Sequence, residues 1–366
     1  FRIIDKVGFN QIKINPNPGA RQGKAVALQQ CDYGTIILGS SRAETGVFPE
    51  SPQFVATPVY NASLIGTSML EVYRMGEDLL DHQTPETIVL GLDFLMFSKA
   101  RTYADDYLDS MLNPRPSLLS ILKYALSMDA LSSNWITVDW NVSGVAKRCF
   151  YSGHNDKRRT IVDQRFAFDE TEFTYMRNPG LYGKHELSGD YLDKLETLIR
   201  LIIEKDIELK LFISPMHAVH MELLADAGLT PSLHEWKKRM ADIVTRINKE
   251  NSAEPPLELW DFSGYNSITT EPVPGEGSPK QMRWYRDSAH YRVAAGDLVL
   301  QRLLHPESAS ANLPADFGIK LTSNNIASVL EKEFELAKQY RLAQPAEVEN
   351  TRRLAQEARE YVQDQN

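Results

Sequence analysis

The chain has little cysteine, no excess of basic residues and no long apolar run. Only Cys31 and Cys149 occur in 366 residues, too few for a disulfide framework. They could pair in an oxidising compartment, but two separate buried thiols are the reading taken here. Lys and Arg number 40 against 49 Asp and Glu, a formal charge of -9. A nucleic-acid partner is excluded on that ground, because phosphate contacts require clustered cations. The runs Lys157–Arg159 and Lys237–Arg239 sit among acidic stretches and read as solvated faces. No segment approaches the ~20 apolar residues of a membrane-spanning helix, and no signal peptide is visible. What is present, 42% hydrophobic and 24% charged residues, suffices for a sizeable globular core.

Short apolar runs recur along the chain, each closed by turn residues, and predict strands. Thr35–Leu38 ends at Gly39-Ser40-Ser41. Phe54-Val55 and Pro58–Asn61 lead to a turn containing Gly66. Thr87–Leu90 runs into Gly91-Leu92-Asp93, Glu208–Ile213 into Ser214-Pro215, and Leu257–Trp260 into Asp261. Between them Ser68–Leu80, Tyr191–Glu204, Leu233–Lys249 and Ala294–Leu304 carry apolar residues at helical spacing. Alternating strands and helices predict an α/β fold with a doubly wound, mainly parallel five-stranded sheet, the Thr35 strand central.

Two segments break the rhythm. Residues 98–189 hold helical pieces such as Leu118–Leu131 but no strand–helix repeat, and are expected to form a lid or subdomain near the carboxyl ends of the strands. Its aromatic residues Tyr151, Phe166, Phe168, Phe173 and Tyr175 read as core before sugar platform. Residues 305–366 read as an extension with two charged helices, Ile326–Tyr340 and Glu347–Tyr361, outside the α/β domain of residues 1–304.

Ligands of open α/β sheets bind at the carboxyl ends of the strands. A hydroxyl directly after a strand is well placed as a nucleophile if a base and an orienting group are at hand. Ser41 is that hydroxyl; Ser40 reads as a helix cap. The base arrives late, in Asp287-Ser288-Ala289-His290. Asp287 can fix the imidazole tautomer while His290 faces the serine. His217 and His220 have the spacing of a helical metal pair, but no third ligand is recognisable. No metal and no cofactor is therefore expected. Arg42, Asn61, Asp93, His217 and Tyr291, at or near strand ends, are expected to line the pocket.

On these blocks the chain resembles the SGNH (GDSL-like) hydrolases, in particular the cell-envelope branch with alginate O-acetyltransferases and the D-alanyl transfer protein. The resemblance spans residues 33–304 and implies Ser41 as nucleophile, the Ser41 and Gly66 N–H groups as oxyanion donors, and Asp287 and His290 as its partners. It further implies an SGNH/flavodoxin-like sheet and acyl transfer or ester hydrolysis. The substrate would be an exported polysaccharide or other envelope glycan, acylated or deacylated with a membrane-bound acyl donor as partner. A periplasmic or extracellular location follows, with an N-terminal anchor expected ahead of Phe1. One block departs: the family's Gly-x-Asn is here Gly91-Leu92-Asp93. An ionised carboxylate only accepts hydrogen bonds. Either Asp93 is protonated, or it binds Arg42 or a sugar hydroxyl, or the oxyanion rests on Ser41 and Gly66 alone. A small-ester esterase or lipase, and a weakly catalytic carbohydrate-binding scaffold, are the competing readings.

Overall fold

The structure, a computed structural model, describes residues 21–107, 110, 112–113, 152–154, 163–251, 255–306 and 313–365. The helix expected at 118–131, Tyr151, Cys149 and the 157–159 basic run lie outside the described residues. The chain begins with α1 (Arg21–Gln30), β1 (Thr35–Leu38), α2 (Ser41–Gly46), β2 (Val59–Asn61), α3 (Met69–His82) and β3 (Thr87–Leu92). After a 3-10 turn at Phe94–Phe97 come α4 (Gln164–Arg177), a π turn at Pro179–Gly183, α5 (Gly189–Glu204), β4 (Glu208–Ile213), α6 (Ala218–Asp226) and α7 (Thr230–Glu250). The remainder is β5 (Leu259–Asp261), α8 (Val293–Leu304), β6 (Ile319–Leu321), α9 (Ile326–Ala343) and α10 (Pro345–Asp364).

The strands form one sheet in the order β2-β1-β3-β4-β5-β6, with all neighbours parallel except the antiparallel β5–β6 pair. The fold is thus α/β with a mostly parallel sheet of six strands, where five were expected. The sixth, Ile319–Leu321, comes from the segment read as an external tail, and pairs Leu321 with Leu259. Nor is β1 central: β3 and β4 are, and β1 lies one strand in from the β2 edge. Phe54 and Val55 belong to no strand; Val55 is 84% exposed.

Side chains alternate across a strand, and both faces of this sheet are covered. Ile36, Leu38, Ile88, Leu90, Leu211 and Ile213 point into a core shared with α3, α5 and α7. Ile37, Val89 and Phe212 point into a second core with α2 and α8. The amphipathic stripes of α5 (Leu195, Leu198, Ile202) and α7 (Trp236, Met240, Ile243) supply the first core because their apolar residues repeat every three or four positions. Helices α2 and α8 approach closely at Gly46 and Gly296: a Cβ on Gly296 would stand 1.8 Å from the Gly46 carbonyl oxygen. Only glycine permits that crossing.

The C-terminal segment is anchored by charge as well as by its strand. Lys237 of α7, 0% exposed on its side chain, bridges Asp261 at 2.9 Å and Glu333 of α9 at 2.6 Å. On α10, Glu347 receives Arg165 of α4 at 2.6 Å, and Asn350 donates to Asp169 at 3.0 Å. Cys31 is held in a disulfide, which corrects the expectation of two separate thiols.

Candidate active site

The turn after β1 exists because Gly39 adopts φ +154°, and a side chain there would strike Ala43 Cβ and the Gly91 carbonyl at under 3 Å. That compression starts α2 within two residues of the strand. Ser40 is the helix cap, its hydroxyl accepting the Arg42 N–H at 3.2 Å. Ser41 is therefore the first helical residue, and its Oγ lies 2.9 Å from His290 Nε2.

His290 belongs to a loop between β5 and α8. The loop is closed by a Tyr285–Tyr291 bridge, with Arg286 N–H donating to His290 O at 3.0 Å. Asp287 shapes its tip: Oδ1 accepts the Ala289 and His290 N–H groups at 2.9 and 2.8 Å. The same carboxylate meets His290 Nδ1 at 2.9 and 3.1 Å. Burial opposes ionisation of Asp287, but the imidazole and the two N–H donors outweigh it and hold the carboxyl below the usual range. Asp287 is not the N-cap of α8, which starts three residues after His290, with Arg292 in the cap position. An ionised Asp287 keeps the proton on Nδ1, which leaves the Nε2 lone pair facing Ser41.

Asp93, at the end of β3, accepts Arg42 Nη1 at 3.1 Å and the Ser40 hydroxyl. Both members of the ion pair are buried. Burial disfavours the Arg42 charge, yet the adjacent carboxylate more than restores it. Asp93 faces Arg42 and Ser40 and acts as an acceptor.

Three expected pocket residues have other employment. Asn61 is fully buried; its amide donates to the Ala43 and Val47 carbonyls at 3.0 and 2.9 Å and its oxygen accepts Ser63 N–H at 3.1 Å. Both amide protons are used, and these bonds clamp α2 to the end of β2. His217 caps α6 through Nδ1 and meets Glu271 O through Nε2 at 2.7 Å, so neither nitrogen is available to a ligand. Burial lowers its pKa to about 4. Tyr291, 1% exposed, wedges its ring between α2 and α8 against Gly46. The metal spacing of His217 and His220 is likewise spent: His220 bonds Tyr182 OH at 2.6 Å and Ser288 Oγ at 3.3 Å. Among the described residues no cluster of His, Cys, Asp and Glu could hold a metal ion.

Gly66 lies on an exposed turn after β2 with φ +63°. The turn is tied to the end of β1, two residues before Ser41, by Leu64 N–H on Gly39 O at 2.9 Å. Sequence spacing did not single out Arg101 or Tyr182, nor a site role for Tyr175, and it offered His220 only as half of a metal pair. Tyr175, from α4, stands edge-on to His220 with ring centroids 4.7 Å apart; its electrostatic neighbours are Arg42, Asp287, Arg101 and Asp93. Phe168 is fully buried against His217, whereas Phe166 is 64% exposed. Among the described residues of the 98–189 segment, α4, Ser152 and His154 approach the carboxyl ends of the strands. Ser152 O accepts Asn61 N–H at 2.8 Å, and His154 Nε2 lies 3.3 Å from Thr45 O. These contacts join parts of the chain tens to hundreds of residues apart, and no local motif announces them.

No family model matches the chain, and no curated protein matches it.

Proposed function

We propose that this protein is a serine-dependent acyl-transfer enzyme of SGNH type. The observation that carries the reading is the line Ser41 Oγ–His290 Nε2 at 2.9 Å and His290 Nδ1–Asp287 Oδ1 at 2.9 Å. In the first step His290 takes the Ser41 proton as Oγ attacks an acyl carbonyl. Base catalysis of this kind contributes roughly 10²–10⁴-fold. The Ser41 and Gly66 N–H groups receive the developing oxyanion. Asp287 steadies the imidazolium, which then returns its proton to the departing oxygen. An acceptor hydroxyl, deprotonated by the same imidazole, then attacks the acyl carbon; the bond to Ser41 Oγ breaks and the imidazolium returns the proton to that oxygen.

The acceptor we favour is the hydroxyl of an exported polysaccharide or other cell-envelope glycan, with acetyl as the group moved and a membrane-bound protein as its donor. A doubly wound sheet fits the 2-1-3-4-5 strand order, whose direction reverses between β1 and β3, where Ser41 and Asp93 sit. The Cys31 disulfide fits an oxidising, extracytoplasmic compartment. Because Asp93 is occupied by Arg42 and Ser40, its carboxylate does not argue for a catalytically idle scaffold. Incubation with a chromogenic acetyl ester, alone and with glycan acceptors, tests the reading. Release of chromophore that depends on Ser41 supports it, and transfer to a glycan separates transferase from esterase. Equal release by Ser41→Ala ends it.

A further inference from the structure

Three cations grip one side of the loop that follows β2. Lys24 Nζ donates to Ser63 O, Arg21 Nη2 to Ile65 O at 3.0 Å, and Arg101 Nη1 to Thr67 O at 3.1 Å. They take the carbonyls of alternate residues. Arg21 and Lys24 lie one turn apart on α1 and are buried, each balanced by a buried carboxylate. Glu71 receives Arg21 Nε and Nη2 at 3.0 and 2.9 Å, and Glu44 receives Lys24 at 2.9 Å. Thr67 completes the network, its hydroxyl donating to Glu71 at 2.9 Å. Buried charge is costly unless paired, so the arrangement does more than fill space: each cation keeps a donor aimed at the loop backbone.

A trans peptide is planar, with its C=O and N–H pointing in opposite directions. Among the described residues the cis bond is Thr57–Pro58, so the loop peptides are trans. Whatever holds the carbonyl therefore aims the next N–H. In the Ser63–Leu64 peptide the oxygen faces Lys24 and the Leu64 N–H meets Gly39 O, two residues before Ser41. In the Ile65–Gly66 peptide the oxygen faces Arg21, on the same helix as Lys24. The Gly66 N–H consequently points away from the Arg21 guanidinium, as the Leu64 N–H points away from Lys24.

We propose that Arg21 is a positioning residue for the Gly66 amide, holding the far end of its peptide so that the N–H is presented to the acyl oxygen on Ser41. A cation on the carbonyl also polarises the peptide and strengthens its N–H as a donor. Glu71 fixes Arg21, and Arg101 anchors the carbonyl on the other side of Gly66. The assignment rests on the proposed acylation of Ser41 with Gly66 as an oxyanion donor.

Single-turnover acylation by 4-nitrophenyl acetate, followed as nitrophenol release on the full chain, tests it with parent, Arg21→Met and Arg21→Lys. Because a lost oxyanion donor costs ~100–1000-fold and a misaligned one less, Arg21→Met is expected to acylate about 10–100-fold more slowly with substrate affinity unchanged. Arg21→Lys, which keeps a cation near Ile65 O, is expected to recover part of that loss. If Arg21→Met does not fold, the Arg21→Met/Glu71→Leu double variant, which leaves no buried carboxylate unpaired because the other partner, Asp106, is exposed to solvent, carries the same expectation. A folded variant that melts earlier but acylates at the parent rate overturns the assignment alone. Absence of any Ser41 adduct in the parent overturns it together with the serine-enzyme reading.

Discussion

Arg42 and Asp93 form an ion pair of 3.1 Å directly beside Ser41, the proposed nucleophile, with side chains 6% and 5% exposed. The pair explains how a carboxylate can stand where the related pattern has an amide: it is engaged by a guanidinium and by Ser40, not aimed at a reacting oxygen. Asp93→Asn should therefore leave Ser41 acylation in place while costing stability. Removing one partner of a buried pair costs about 3–5 kcal/mol. Urea denaturation should give the loss, and the ester burst on the folded fraction should persist. A well-folded variant without any burst would assign Asp93 a direct catalytic role.

Glu333 ties the C-terminal helices to the sheet. Burial alone would raise its carboxyl; Lys237 and His234 overcome that and hold it down to about 2. An acid depressed on folding stabilises fully above its unfolded pKa, about 4.3, and that stability is lost as pH falls through the folded value. The urea midpoint should drop between about pH 4.5 and 2. Glu333→Gln should lose on the order of 2 kcal/mol at neutral pH and flatten the drop. An unchanged midpoint would show that the Glu333 ion pair does not hold α9.

Glu172 on α4 has the opposite sign. Burial pushes its carboxyl well above the usual range, and neither oxygen makes a hydrogen bond of ordinary geometry. A raised acid loses stability as pH climbs from the unfolded pKa towards the folded one. Glu172→Gln should thus raise the melting temperature at pH 7 more than at pH 4. Equal shifts at the two values would count against a neutral buried carboxyl.

His217 supplies a separate acid sensitivity. Burial keeps it neutral down to about pH 4, whereas in the unfolded chain it binds a proton near pH 6.5. The unfolded state gains protons first, so stability should fall as pH drops from about 6.5 to 4. His217→Asn, which keeps a helix cap, should reduce that slope in denaturant titrations. A slope unaltered by the substitution would place the sensitivity on other groups.

How far the sequence discloses this molecule follows from the range of each interaction. Helices α3, α5 and α7 bury one face, so their periodicity is visible, and the Gly39–Ser41 and Asp287–His290 blocks are local. Strand β6 has three residues, two of them exposed, and no alternation to detect. Helix α4 buries one face, Gln164, Phe168, Glu172 and Met176 at four-residue spacing, but two of these four are polar, so no apolar stripe shows. Arg21–Glu71 and Lys237–Glu333 join residues 50 and 96 positions apart, which spacing along the chain does not reveal. Asn61, His217 and Tyr291 stand near strand ends but face inward, because position on a strand end does not fix what a side chain meets.

Intact-protein and peptide mass spectrometry after a short incubation with an activated acetyl ester tests the central claim most directly. The account predicts one acetyl group on the peptide carrying Ser41. It should be absent in Ser41→Ala, strongly reduced in His290→Ala, and lost on incubation with water or a glycan acceptor. A parent protein without that adduct, or an adduct that survives Ser41→Ala, would contradict it.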